Sequence, residues 1–206
     1  MLISTLGFSQ ECNIIYVSPN GSGSGTQAAP TSFLNGLALV SPGVDHIRMA
    51  SGTYDISNTI NLIGGVTIEG GFDAVTWVKS NNAATLIHRD NTNVTAAPDR
   101  IVAISAVGLT NFQLHDLSIL VDDAGGSGVT TYGIHIDGCS NYSLSRVRSS
   151  AGNGSNGIDG LAGVDGVDGV DGVQGQNGNN CGGGNTAGGA GGSSWGGGTS
   201  AGGNGG

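Results

Sequence analysis

Glycine occupies every third position from Gly154 to Gly178 without a miss, and no other feature of the sequence constrains the fold as strongly. Four of the eight pairs between the glycines are an apolar residue followed by aspartate, such as Val164-Asp165. A strict Gly-x-y period is typical of a threefold helix, because only glycine fits where one backbone packs closely against another. The sequence therefore predicts a threefold, polyglycine II-like helix here. The glycines in register are Gly154, Gly157, Gly160, Gly163, Gly166, Gly169, Gly172, Gly175 and Gly178.

Glycine divides the chain into two regions. Of the 41 glycines, 24 lie in residues 151–206, whereas all six Lys and Arg residues lie before them. We therefore expect a folded domain over residues 11–150 and a glycine-rich module over residues 151–206. The net charge of −9 without a basic cluster argues against nucleic-acid binding. No apolar run reaches 18 residues, so we expect no transmembrane helix.

Residues 1–10 are apolar and uncharged, and the charged residue Glu11 follows them. This segment has the last part of a secretory signal but lacks the basic region that opens one. It is either a signal-peptide remnant or an ordinary first strand.

The region 11–150 is dominated by short β-type segments separated by Gly, Asn, Asp and Ser. One segment, 32–40, predicts a short helix with Phe33, Leu37 and Val40 on one side. Ten short strands and one helix indicate an all-β fold. The predicted strands are 14–17, 46–50, 59–63, 66–69, 85–88, 100–105, 112–115, 117–121, 133–136 and 142–148.

The sequence matches itself at an offset of 30 residues. Ile104 matches Ile134, Asn111 matches Asn141, and the same offset continues through three further pairs. We interpret Asn111 and Asn141 as structural residues at one repeated turn, where asparagine tolerates left-handed backbone. A β-sandwich explains the many strands but not this repeat, so we favour a parallel β-solenoid of five or six coils. The further pairs are Gly108 with Gly138, Phe112 with Tyr142, and Leu114 with Leu144.

Three motifs resemble those of a known group of proteins. They are IYVSPNGSG at 15–23, DHIRMASGTY at 45–54 and GVTIEGGF at 65–72. Together they resemble the opening of right-handed parallel β-helix proteins of the pectate-lyase-like superfamily, which are common among large bacterial surface proteins. The resemblance covers about residues 14–150 and implies a right-handed parallel β-helix. The end of segment 1–10 also resembles the signal ends of type nine secretion cargo.

Enzymes of that superfamily cleave acidic polysaccharides with clustered carboxylates acting as acid, base or calcium ligands. The candidates here are Asp122, Asp123 and Asp137. Asp116 falls over Arg146 at the 30-residue offset, which predicts an exposed ion pair between them. Asp122 and Asp123 lead a strand into a loop, so we do not expect the protein to be an enzyme.

The glycine tract also resembles bacterial collagen-like sequence, although it contains no proline. The alternative is polyglycine-type helices packed within one chain, as in glycine-rich antifreeze proteins and phage adhesin tips. Beyond residue 181, the sequence is compatible with further short helices and with a flexible linker. Asp165, Asp168 and Asp171 recur once per threefold turn, and this stripe of oxygen ligands makes calcium a hypothesis.

These features favour a secreted or cell-surface structural or adhesive protein. Its expected partners are other surface or secretion-system proteins, glycans, or further copies of itself. A polysaccharide-binding or polysaccharide-cleaving β-helix is the first alternative, and an ice-binding protein is the second. The three cysteines, Cys12, Cys139 and Cys181, are an odd number without a CxxC motif, so they indicate neither a metal site nor a redox motif.

Overall fold

The structure is a computed structural model that describes residues 13–80 and 83–174. The chain forms two compact units, of which the first ends at Ile158 and the second begins at Asp159. In chain order the elements are β1 (Ile14–Val17), α1 (Phe33–Ala38), β2 (His46–Ala50), β3 (Gly52–Ile56), β4 (Ile60–Asn61), β5 (Thr67–Phe72), β6 (Thr85–Arg89), β7 (Arg100–Val107), β8 (Gln113–His115), β9 (Ser118–Val121), β10 (Thr130–Asp137), β11 (Ser143–Ser145) and β12 (Arg148–Ser150).

The strands of the first unit form three parallel sheets. Sheet A has the order β1-β2-β5-β8-β11, sheet B the order β3-β6-β9-β12, and sheet C the order β4-β7-β10. The chain visits the sheets in turn and stacks each pass on the one before, which makes a parallel β-solenoid of about four turns. The predicted all-β class and solenoid are thus confirmed. The predicted five or six coils are too many, because one coil holds the long connections from β5 to β6 and from β6 to β7.

The 30-residue offset of the sequence is the register of the last two coils. Ile134 pairs with Ile104, Leu144 pairs with Leu114, and Ser140 bridges to Thr110. Both coils turn their corners with left-handed backbone at equivalent positions. The φ angles are 63° and 59° at Gly108 and Gly138, 61° and 52° at Asn111 and Asn141, and 53° and 52° at Asp116 and Arg146.

The core runs between the three sheets and is built from inward side chains in vertical columns. In sheet A, Ile47 pairs with Ile68 and Ile68 with Leu114, and all three are fully buried. Burial of each such side chain stabilises the fold by about 1.5–3 kcal/mol. A second, smaller cluster lies on the other face of sheet A, where the rings of Tyr16 and Trp77 meet edge to face at 4.8 Å.

The predicted helix at 32–40 is confirmed with shorter bounds, as α1. Ser32 caps it, and its Oγ accepts a hydrogen bond from the Asn35 backbone N–H at 3.3 Å. Phe33 and Leu37 are buried against the first coil, as the spacing predicts. The helix therefore covers part of the N-terminal end of the solenoid core.

Two parts of the strand prediction differ from the structure. β3 was not predicted, and the predicted strand 142–148 is two strands, β11 and β12. The chain bends between them at Arg146, whose positive φ ends the extended backbone. No helix in the described part of the chain is long and apolar enough to cross a membrane.

The second unit is described from residue 159 to residue 174, and over these residues it forms neither helix nor strand. Its large apolar side chains are exposed, namely Leu161, Val164, Val167, Val170 and Val173.

Candidate functional site

Asp122 and Asp123 begin the loop that follows β9 and lie in the wall of an open depression of about 590 Å³. Two of the three candidate aspartates, which are adjacent in the sequence, thus line one depression. The third, Asp137, ends β10 in sheet C and is not among the residues that line the depression. The other residues in the wall are Asn91, Leu120, Val121, Ser150, Ala151, Gly152 and Asn153.

His88 on β6 lies between two carboxylates that belong to neighbouring coils. Its Nδ1 is 2.7 Å from Asp55 Oδ1, and its Nε2 is 2.9 Å from Asp122 Oδ1. The hydrogen bonds to Asp122 and Asp55 raise the pKa of His88 above its ordinary value of 6.5. Asp122 therefore lines the depression with one carboxylate oxygen already engaged by the His88 ring.

Asp123 fastens the loop to the coils on either side of it. Its Oδ1 accepts a hydrogen bond from the Asn153 backbone N–H at 2.7 Å, and its carbonyl accepts one from Asn91 Nδ2 at 3.1 Å. The next coil passes so close that a Cβ on Gly152 would lie 2.4 Å from the Asp122 carbonyl carbon. Glycine is required there, and the Asp123 carboxylate serves to join coils.

A second charged group lies beside the interior strands β5 and β8 of sheet A. Lys79 Nζ contacts both Glu69 Oε1 and Asp116 Oδ2, and Arg146 donates to both oxygens of Asp116. The predicted Asp116–Arg146 ion pair is thus confirmed, although only its arginine is exposed, whereas the sequence predicts an exposed pair. The hydrogen bond from Arg146 holds the pKa of Asp116 well below its usual range, even though only 9% of its side chain is exposed. These ion pairs also join successive coils.

Sequence reasoning missed Arg89, which is fully buried at the end of β6. Its Nη1 donates to the carbonyl of Asp90 at 2.6 Å, and its Nη2 donates to those of Thr92 and Asn93 at 2.7 and 3.1 Å. The guanidinium therefore holds the loop that leaves the strand. The available signal was the alternation Thr85, Ile87, Arg89, which places the arginine on the inward face.

Asn111 and Asn141 stack at one corner, where Asn141 Nδ2 donates to Asn111 Oδ1. The adjoining rings of Phe112 and Tyr142 are parallel, with centroids 5.1 Å apart. Such side-chain ladders add contacts between coils whose spacing is set by the backbone hydrogen bonds of the parallel sheets.

The predicted glycine positions fall in different surroundings. A Cβ on Gly154 would lie 3.2 Å from the Val129 carbonyl oxygen, so this glycine packs against the solenoid. At Gly157, Gly160 and Gly163 a Cβ would meet nothing within 4 Å. Gly175 and Gly178 lie outside the described residues.

Asp165, Asp168 and Asp171 are exposed in the second unit. Across residues 13–80 and 83–174, no group of three or more His, Cys, Asp or Glu side chains is placed to hold a metal ion. Cys139 is a free thiol that accepts a hydrogen bond from the Leu109 backbone N–H at 3.3 Å. Cys12 and Cys181 lie outside the described residues.

Comparisons with known proteins give no relative: no family model matches the sequence, and neither a curated protein nor a solved structure matches the chain.

Proposed function

We propose that the protein is a secreted or cell-surface structural and adhesive protein, in which the β-solenoid is the scaffold. One observation carries the proposal: the charged side chains beside the depression and beside strands β5 and β8 are bound in contacts between coils. His88, Lys79 and Asp123 each bind groups on two other segments of the chain. Groups held in this way stabilise the stack, and the carboxylates among them are less available for acid–base work.

The test combines location with binding. Protease treatment of intact cells should remove the protein from their surface, and the purified full chain should bind immobilised glycans or cell surfaces without consuming them. The matched variant carries Asp122→Asn, Asp123→Asn and Asp137→Asn and should bind equally well. Retention inside the cell, or absence of binding to every surface tested, would contradict the proposal.

A polysaccharide-binding or polysaccharide-cleaving protein is the second candidate, and the depression beside Asp122 and Asp123 favours it. Incubation with a panel of polyuronides should then release unsaturated or reducing sugar. The Asp122→Asn, Asp123→Asn and Asp137→Asn substitutions should abolish that release. Release that persists in the triple variant would come from a contaminant.

At the finer level, we propose that the solenoid is a right-handed β-helix of the pectate-lyase-like kind exported by the type nine system. The three N-terminal motifs and the parallel stacking support this. An experimental structure would give the handedness. A sorting domain encoded in the same reading frame would support the export route.

For the glycine tract we propose a threefold helix formed with further copies of the chain. The nine-glycine register and the exposed Leu161, Val164 and Val167 support this association. Gly166→Ala should reduce the oligomeric mass measured by light scattering, whereas the out-of-register Gln174→Ala should leave it unchanged. A monomeric wild-type chain would contradict the proposal.

Calcium bound along Asp165, Asp168 and Asp171 remains a proposal that rests on their spacing. Calcium should then raise the melting temperature of the chain, and replacement of the three aspartates by asparagine should remove that rise. A melting temperature independent of calcium would contradict the calcium proposal.

A further inference from the structure

His88 joins three successive passes of sheet B. Asp55 lies on β3, which pairs with β6, and Asp122 follows β9, which pairs with the other edge of β6. One ring nitrogen contacts each carboxylate, at 2.7 and 2.9 Å. The ring thus lies in the middle of a carboxylate–imidazole–carboxylate bridge between coils.

We propose that His88 is a proton-dependent staple of the solenoid, which holds both carboxylates when its ring is protonated and releases one when the ring is neutral. An imidazolium has two N–H donors, whereas a neutral imidazole has one donor and one acceptor. A neutral ring therefore faces one of the two carboxylates with a lone pair. That contact is repulsive, so the corresponding coils lose a tie.

The charged groups around His88 favour the protonated ring. Asp55 faces it from β3 and Asp122 from the end of β9, so both packed neighbours present negative charge. Arg89, next on the same strand, points inward and donates to Asp90 and the loop carbonyls. From the strand beyond β9, Arg148 is an exposed cation paired in register with Ser118.

The direction of the pH dependence follows from these contacts. Hydrogen bonds to Asp122 and Asp55 raise the pKa of His88 in the folded chain above 6.5. A raised pKa means that the stabilisation is complete below pH 6.5 and is lost as the pH rises through the folded value. The staple is therefore closed in mild acid and opens as the pH rises through the folded-state pKa of His88. The pH dependence of the staple is independent of what the scaffold binds.

The first test is an NMR titration of the histidine rings in the full chain. His88 should titrate above pH 6.5, and Asp122→Asn should lower its midpoint, since that substitution removes one carboxylate. A His88 midpoint at or below 6.5 in the wild type would overturn the proposal, and this measurement needs no variant that could fail to fold.

The second test follows stability with pH. Between about pH 6 and pH 9, the urea midpoint of the wild type should fall more steeply than that of His88→Asn, whose amide cannot titrate. The control is His135→Asn, because the His135 ring contacts Tyr132 on its own strand. It should keep the wild-type slope. Equal slopes in the wild type and His88→Asn would overturn the proposal.

Discussion

At the scale of single residues, Arg89 shows how a polar group can be part of a solenoid core. Its side chain is fully buried, and burial lowers its pKa while Asp90 opposes that shift. Buried charges are tolerated when paired and hydrogen-bonded. Here the carbonyls of Asp90, Thr92 and Asn93 accept from the guanidinium, so the residue anchors the loop 90–99 to the core.

Replacing Arg89 by Met should lower the free energy of unfolding by about 2–3 kcal/mol, because each loop carbonyl loses its charged donor while the core volume is roughly kept. The exposed Arg148 is the matched control, and Arg148→Met should change stability by about 0.5 kcal/mol or less. Urea unfolding measures both. Equal effects would mean that the guanidinium does not anchor the loop.

Asp90 should give the fold an acid-sensitive contact in the same loop. The hydrogen bond from Ser57 Oγ, with those from Thr92, lowers the pKa of Asp90 from 3.8 to about 2. A lowered pKa means that the stabilisation is complete above pH 3.8 and is lost as the pH falls towards 2. Ser57→Ala should therefore raise the Asp90 midpoint in a carboxyl NMR titration and shift acid unfolding to higher pH. An unchanged midpoint would show that the Ser57 contact is not made in solution.

At the scale of elements, corners where the backbone turns left-handed separate the strands. The sequence predicted the corner at Asn111 and Asn141, because asparagine and the 30-residue match both mark it. It did not predict the corner at Arg146, since arginine rarely adopts a positive φ. The ion pair with Asp116 in the coil below accompanies that conformation. The predicted strand 142–148 therefore continued through Arg146 and combined β11 with the start of β12.

The candidate site was less predictable than the strands. Asp122 and Asp123 could be chosen from the sequence as adjacent carboxylates, but the bridge through His88 could not. Asp55 and His88 are 33 residues apart, and His88 and Asp122 are 34 apart, so neither pair follows the 30-residue offset. Loops of different length shift the offset from coil to coil. Contacts outside the last two coils therefore need the structure.

Close approach of coils should make Gly70 in β5 essential, unlike a glycine in an open loop. A Cβ on Gly70 would lie 2.5 Å from the Asp116 carbonyl oxygen and 2.8 Å from the Thr85 side chain. Gly70→Ala should therefore destabilise the chain by about 1–3 kcal/mol, the usual cost of overpacking. Gly125→Ala is the control, because a Cβ there meets nothing within 4 Å. Urea unfolding should show no loss for Gly125→Ala, and similar losses for both would contradict the model of tightly stacked coils.

At the scale of the whole solenoid, the two ends of the first unit differ. At the N-terminal end the outer edge of β1 is occupied, since Tyr16 N–H donates to the Gly25 carbonyl and Thr31 N–H donates to the Tyr16 carbonyl. At the other end, β10, β11 and β12 are the last strands of their sheets within the described residues. Side chains of earlier coils are covered by the coil that follows, whereas those of the last coil have no further described strand stacked on them. Within the described residues of the first unit, the stack therefore has a covered N-terminal end and a more exposed C-terminal end.

This difference between the two ends predicts that the same leucine-to-alanine substitution destabilises the fold by different amounts at equivalent positions of two coils. Leu114 is fully buried, whereas Leu144, its partner in the next coil, is 42% exposed. Leu114→Ala should cost about 2–5 kcal/mol, because it leaves a cavity that the neighbouring coils cannot fill. Leu144→Ala should cost about 1 kcal/mol, because water already reaches the side chain. Urea unfolding at low protein concentration measures both. Equal costs would mean that Leu144 is covered in solution, and sedimentation over a range of concentrations would then show whether a second copy covers it.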